Sequence, residues 1–410
     1  MRKEDFREGV SPGKLEVTEF ITTRLKRGIP EATPIRGWAF VPDELPPSKV
    51  TSREVKTELF DEIQSAERSL ALLEGSASRL PNPYLLIGPF TTREAMLSSA
   101  IENTFASARE MALFEMSESA VSERDRVREV VNYQRALQHG LDSQLPTCRR
   151  LMLELHRRLL GGLNRTSIHP GMFRTTQNAI GGDNDFAIAR FVPPPPGHIN
   201  RLISNLEKYT NMSCSDSAEQ LPLLARLAVS HYQFEAIHPF DDGNGRLGRL
   251  LVVLQLCESG RVTKPLVYVS GYFEKHRERY YQLLYAVSAE ADWISWIRFF
   301  VTAIDEQAKD ARTLAESLLQ LREELHARVR QKRASALLSD IVDSLFRRPS
   351  ITVSVIQKKH GISPTAAGNL VDKLVECGVL IEATGRKKDR VFVAPEIIDA
   401  IEGKRRMHQD

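Results

Sequence analysis

The sequence has very little cysteine and no paired cysteine motif. Its four cysteines, Cys148, Cys214, Cys257 and Cys377, are scattered through 410 residues without a CxxC pair. Nothing there points to a zinc or dithiol redox site, and core or surface thiols in a reducing cytoplasm are expected. No stretch approaches the roughly 20 apolar residues needed to cross a bilayer, so no membrane association is expected. The N-terminus, MRKEDFREGV, is charged with no apolar segment behind it, which excludes a secretory signal. Charge of one sign is also lacking. A net +3 gives no whole-chain case for nucleic acid, which has to be argued locally. What remains is an ordinary globular composition, 42% hydrophobic and 27% charged, long enough for two or three domains.

Helical periodicity dominates, and a mainly α fold follows. Residues 1–50 are rich in Pro and charge, and GWAFVPDELPP reads as an extended arm around a body. Residues 51–75 have helical spacing that stops at Gly75, before a Pro-rich loop. Thr91 and Thr92 can then cap a helix from about Arg93 to Ser107. Further helices are predicted near 125–140, 147–161, 199–211, 216–234, 244–258 and 275–289. Residues 292–331 make a helix pair or one long helix. Ile180, Phe186 and Ile188 flank Gly181, Gly182, Asp183 and Asn184, which predicts a β-hairpin over 178–192 ended by four prolines.

The densest chemistry lies at His238-Pro239-Phe240-Asp241-Asp242-Gly243-Asn244-Gly245-Arg246-Leu247-Gly248-Arg249. Gly243-Asn244-Gly245 is costly inside a helix but can open one, and helical periodicity starts at Arg246. The turn therefore sits at a helix N-terminus, where outward N–H groups and the dipole cradle phosphate. Arg246 and Arg249, three apart, share a face and complement a polyphosphate. A carboxylate beside that cradle, Asp242, would repel phosphate unless Mg²⁺ lies between them. His238 on the same loop suits a general base. Each residue alone has a structural explanation, as His169 and His231 do, but the combination forms a kit for phosphoryl or nucleotidyl transfer.

This stretch resembles the Fic family signature, HxFx(D/E)GNGRxxR, at every specified position. The resemblance implies that His238 deprotonates a target hydroxyl and that Asp242 holds Mg²⁺ against the α- and β-phosphates of ATP. It assigns Gly243, Asn244, Gly245 and Arg246 to the anion hole, Arg249 to the γ-phosphate, and Phe240 to packing. The 178–192 hairpin is similar to the family's flap, which docks the target by strand addition through Ile180, Gly181, Gly182 and Ile188. Tyr280 and Tyr281 resemble the region beside the adenine pocket and are assigned to the nucleotide. Ser98, Glu102 and Asn103 resemble the inhibitory motif (S/T)xxxE(G/N), in which Glu102 takes Arg249 away from the γ-phosphate. No Ser or Cys nucleophile stands nearby, which argues for direct attack by the target hydroxyl with release of pyrophosphate.

The last 80 residues change character. Amphipathic ASALLSDIVDSLFRR, a short helix ending at Gly361, a helix capped by Ser363, and the strands VLIEA and DRVFVA follow a winged helix-turn-helix order. Residues 331–410 hold 14 Lys and Arg against 10 Asp and Glu, with Arg386, Lys387, Lys388 and Arg390 on the predicted wing. DNA and protein docking weigh evenly, because the presumed recognition helix has few long donors for base edges. Three regions result: an arm and inhibitory region (1–120), a Fic helical core with its following helices (121–330) and a winged helix (331–410). The reading is an autoinhibited protein adenylyltransferase, cytoplasmic, acting on a Tyr, Thr or Ser of a target or of itself, with a homodimer open. The alternative is a DNA-binding regulator whose Fic core senses nucleotide, against which the intact His238 speaks.

Overall fold

The fold comes from a computed structural model, which describes the chain apart from residues 1–2, 7–8, 27–28, 79–83, 164–167, 182–187, 213–219, 332–335 and 405–410. The N-terminal region is a long antiparallel hairpin, β1 (Gly13–Lys26) and β2 (Ile29–Pro42), in register from Gly13↔Pro42 to Lys26↔Ile29. The arm expected there is thus half of a hairpin, in strands whose Val, Ile, Thr and Phe suit a pleated surface. Helices α1 (Ser52–Glu58) and α2 (Phe60–Ser78) follow, the first capped by a Thr51–Glu54 box. Gly75 does not stop α2. Next come α3 (Tyr84–Ile101), α4 (Ala108–Met116), α5 (Arg124–Asp142), α6 (Arg149–Leu159) and α7 (Ile199–Thr210).

Helix α3 departs from expectation at both ends. It begins ahead of Pro89, so Thr91 and Thr92 lie inside it, and the Thr91 hydroxyl donates back to Gly88 O (3.0 Å). It ends at Ile101 because Asn103 takes φ +60°, a left-handed conformation that Asn tolerates and that turns the chain out of the helix. Glu102 is therefore placed just past the helix end.

The centre of the fold is α8 (Leu223–Ile237) against α9 (Asn244–Glu258). Both are apolar nearly all round, which is what burial on several sides requires. Helices α10 (Ser270–Lys275) and α11 (Arg277–Glu290) lead into α12 (Trp293–Gln331), one unbroken 39-residue helix packed on α2 and α8. The C-terminal unit consists of α13 (Ala336–Arg347), β3 (Ser350–Ile351), α14 (Val353–His360), α15 (Pro364–Glu376), β4 (Ile381–Glu382), β5 (Phe392–Val393) and α16 (Pro395–Ile401). Its strands form an antiparallel sheet in the order β3-β5-β4. The Ser363 hydroxyl caps α15 at Ala366 N, 3.2 Å away.

This unit is docked on α3 and α4. Helix α13 lies along α3, where a methyl group on Gly88 would strike the Arg347 backbone. Ser350 Oγ donates to Ala112 O (2.8 Å), Ala108 N donates to Glu402 Oε1 (2.9 Å), and Arg348 pairs with Glu115 (3.2 Å). Arg386 reaches Ser117 and Ser119. Among the described residues no helix is long and apolar enough to cross a membrane.

Candidate active site

The turn between α8 and α9 is held from several directions. His238 caps α8 in a left-handed conformation (φ 47°), which is unfavourable for a residue with a Cβ. Arg174 stabilises it: its Nε donates to His238 O (2.8 Å), its Nη2 to Pro194 O (2.6 Å), and its backbone N–H to Pro239 O (3.0 Å). Phe240 is fully buried and stacks on His156, with centroids 3.8 Å apart. His156 Nδ1 accepts from Gly171 N (2.8 Å), so its Nε2–H donates to Asp242 O (2.9 Å). Burial lowers the His156 pKa to about 4, which keeps this ring neutral.

Asn244 is buried and pins the same turn. Its Oδ1 accepts from Phe240 N and its Nδ2 donates to Phe240 O, both at 2.9 Å. Arg246 is also buried, ion-paired with Glu129 and 3.2 Å from Asp242 Oδ1. The Arg246 guanidinium was expected at the phosphates, yet it braces the loop as the Asn244 amide does, so what the two residues offer an anion is backbone N–H. Gly243 opens α9 at φ 78°. The first N–H groups of α9 have no partner within the helix, which leaves an anion cradle at Asn244, Gly245 and Arg246.

His238 lines the same cavity as Gly245. Burial, and next Arg174, pull its pKa down to about 4 against the opposing pull of Glu102, the Glu235 carbonyl and Asp242. The sequence suggests a near-neutral ring, but its burial, with a guanidinium nearby, keeps it unprotonated well into acid. Asp242 Oδ1 accepts from Gly243 N (2.6 Å), whereas Asp241 faces His169 (3.5 Å).

Arg249 is buried and lies under the end of α3. Its Nε donates to Ser98 Oγ (3.0 Å), and its Nη2 donates to Ser98 O (2.8 Å) and Glu102 Oε1 (2.9 Å). A side chain at Gly245 would collide with Glu102, so the glycine makes room for the carboxylate. Asn103 Oδ1 accepts from Arg277 (2.8 Å) and anchors the turn to α11. Glu94, in the middle of α3, is buried against Tyr133 OH (2.7 Å) and Ser270 Oγ (2.5 Å). Burial raises its pKa to about 7.

These groups border one cavity of about 950 Å³, which His238, Gly245, Arg249, Glu102, Tyr280 and Tyr281 all line. Tyr280 is buried, with its hydroxyl on His231 Nε2 (2.9 Å) and its ring stacked on Phe273. Tyr281 is half-buried under Arg277. Of the flap, Ile180 and Phe191 form one antiparallel bridge, Gly181 has φ 76°, and Ile188 is exposed on the cavity wall. Gly182 and the turn itself lie outside the described residues. Arg174, His156, Glu129, Glu94 and Glu235 were not singled out from the sequence. Each lies far from the signature or carries no spacing pattern of its own.

A sequence profile described as Fic/DOC family N-terminal matches residues 60–142, and one described as Fic/DOC family matches residues 146–256. Both stretches are therefore similar to Fic/DOC family sequences. The two matches meet within the loop after α5. Proteins named protein adenylyltransferase Fic are similar: that of Culex quinquefasciatus is 36% identical over 151 residues, 36% of this chain and 26% of that protein. The Drosophila grimshawi protein is 34% identical over 155 residues, 38% of this chain and 28% of that one. The matched region spans about a quarter of the length of these curated relatives. The fold is similar to the crystal structure of a Fic family protein from Desulfovibrio desulfuricans G20, with a TM-score of 0.51 and 18% identity over 81% of this chain and 95% of that one.

Proposed function

We propose that this chain is an autoinhibited protein adenylyltransferase that moves AMP from ATP to a hydroxyl of a protein. The observation that carries the reading is Arg249, buried behind the α9 N-terminus and held by Ser98 and Glu102 on the wall of the cavity that His238 also lines. A guanidinium engaged by a carboxylate is unavailable to a terminal phosphate, so the resting protein transfers slowly.

In the reaction, the N–H groups at the start of α9 receive the phosphates and Arg249, once released, takes the γ-phosphate. His238 accepts the proton of the target hydroxyl. The hydroxyl oxygen bonds to the α-phosphorus, the bond from that phosphorus to the bridging oxygen breaks, and pyrophosphate leaves with the electron pair. Asp242 would be the carboxylate that holds Mg²⁺. Among the described residues no group of three His, Cys, Asp or Glu could hold an ion by itself. A lone carboxylate suits an ion bound mainly by phosphates and water, which when present neutralises phosphate charge.

The C-terminal unit is read as a winged helix. Arg386 on its wing is turned inward to Ser117 and Ser119, which favours protein contact over DNA for that face. The test is incubation of the full chain, and of Glu102→Gly, with α-labelled ATP and candidate target proteins, followed by mass spectrometry. An AMP adduct on a hydroxyl is expected, on the chain itself or on a target. Its absence with the Glu102→Gly protein would refute the reading.

A further inference from the structure

The cavity extends beyond the Fic match, and its far wall comes from the first residues of the chain. Along α8, Tyr232, Glu235 and His238 line it, and the 1.5 Å rise per residue puts Tyr232 about 9 Å from the His238 end. Along α11, Arg277 lies at the inhibitory turn and Tyr285 is eight residues on, about 12 Å further. The two helices close at Tyr232 OH and Ser288 Oγ, 2.8 Å apart. A nucleotide with its phosphates on the α9 cradle therefore points its base toward Tyr285 and Ser288.

Asp5 lines the cavity at that end. Its Oδ2 accepts from Tyr285 OH at 2.9 Å. The residues that follow it are anchored in turn. Phe6 is buried against Phe40 and Tyr285, and Ser11 Oγ donates to Ser288 O at 2.6 Å. A carboxylate only accepts hydrogen bonds, and the Tyr285 proton already points at it. The arginines on the lining are engaged elsewhere, Arg190 with Glu278 and Arg277 with Asn103. Asp5 gives that end of the wall a carboxylate acceptor.

We propose that Asp5 reads the nucleobase: its carboxylate accepts from the exocyclic amine of adenine and disfavours a purine with a carbonyl there. This rests on the nucleotide site proposed above and adds a specificity-determining residue from outside residues 60–256. A hydrogen bond to a charged group, against repulsion between two acceptors, corresponds to roughly tenfold to a hundredfold in affinity.

The experiment uses the full chain with His238→Ala and Glu102→Gly, which stops turnover and frees Arg249. Dissociation constants for ATP and inosine triphosphate, which differ in the amine and its replacement carbonyl, are measured by calorimetry. At least about tenfold preference for ATP is expected. Asp5→Ala should bring the two within a few-fold, and Asp5→Asn, which offers a donor, should favour inosine triphosphate relative to the parent. Melting curves check that the variants remain folded. An unchanged ratio in both Asp5 variants, or no preference in the parent, would overturn the assignment and leave the nucleotide site standing. Failure to bind any nucleotide would remove the site and this inference together. Selective binding through Asp5 in a chain that never transfers AMP would refute only the transfer.

Discussion

Arg249 Nη2 lies 2.9 Å from Glu102 Oε1, and this contact ties the end of α3 to the first turns of α9. The arginine is buried while the Glu102 side chain is 35% exposed, so the glutamate is the partner that can move. Glu102→Gly should raise the rate of self-labelling with ATP by about 5- to 150-fold, the usual range of a coupling free energy. Adding Arg249→Ala should cancel the gain, because both act through one contact. Residue 102 lies past the helix end, so glycine there avoids the helix-interior penalty. Equal labelling by the variant and the parent at saturating ATP would mean that this contact does not limit transfer.

His238→Ala should lower transfer by roughly 10² to 10⁴ and leave ATP affinity nearly unchanged, since the cradle is backbone and arginine. Because its pKa is held at about 4, the ring is neutral across pH 6 to 8. The rate constant kcat/KM should stay level there and fall only toward pH 4 to 5. A fall centred near 6.5 would show that the ring is solvated in solution.

The same placement has a stability consequence. His156, His231 and His238 are all pulled down by burial, to about 4, 3 and 4. From pH 6.5 down toward 4 the unfolded chain binds more protons, so these rings lower stability as the pH falls. Glu94 and Glu235 are pushed up by burial to about 7 and 8 and act oppositely: their contribution is present below pH 4.5 and is lost as the pH rises through those values. Replacing both by Gln should therefore make stability rise more steeply with pH between 5 and 8. Urea denaturation at several pH values reads this directly.

Asp242→Asn keeps an acceptor for Gly243 N–H and removes the charge. It should weaken the Mg²⁺ dependence of ATP binding by tenfold or more, on the order of loss for a charged ligand group. Asp241→Ala, at a residue turned to His169, should change it little. The reverse ranking in a Mg²⁺ titration would place the ion on Asp241.

The turn that opens α9 was legible because it is local. His238 through Arg249 are contiguous, and Gly243-Asn244-Gly245 announces both a turn and a helix start. Helix α9 was legible for the same reason, with a 3.6-residue period in one window. Glu102 could be paired with Arg249 only through a resemblance, since nothing in residues 98–103 alone sets them apart from a solvated face. The supports of the site are long-range and carry no spacing: Arg174 under His238, His156 under Phe240, Glu129 on Arg246. The end of α3 was misplaced because helical propensity continues past Asn103, and only its Arg277 contact and positive φ mark the turn. The β1–β2 hairpin was missed because Pro and charge in residues 1–50 obscured the alternation.

The docking of the C-terminal unit on α3 can be probed through two glycines that the sequence does not distinguish. Both are in helices. A Cβ on Gly88 would press into the Arg347 backbone, which cannot yield like the tip of a side chain, whereas one on Gly75 meets nothing within 4 Å. Gly88→Ala should therefore push α13 off α3 and cost about 1–3 kcal/mol, as overpacking does. Gly75→Ala should add roughly 0.5–1 kcal/mol by restricting the unfolded chain and favouring the helix. Helix α3 ends beside Glu102, so under the proposed autoinhibition the Gly88 change should also raise self-labelling, while the Gly75 change should leave it alone. Chemical denaturation and the labelling assay on the two variants together decide this. A Gly88→Ala protein as stable as the parent would mean that the C-terminal unit does not press on α3 in solution. A destabilised one with unchanged labelling would mean that the contact holds the fold together but does not set the position of Glu102.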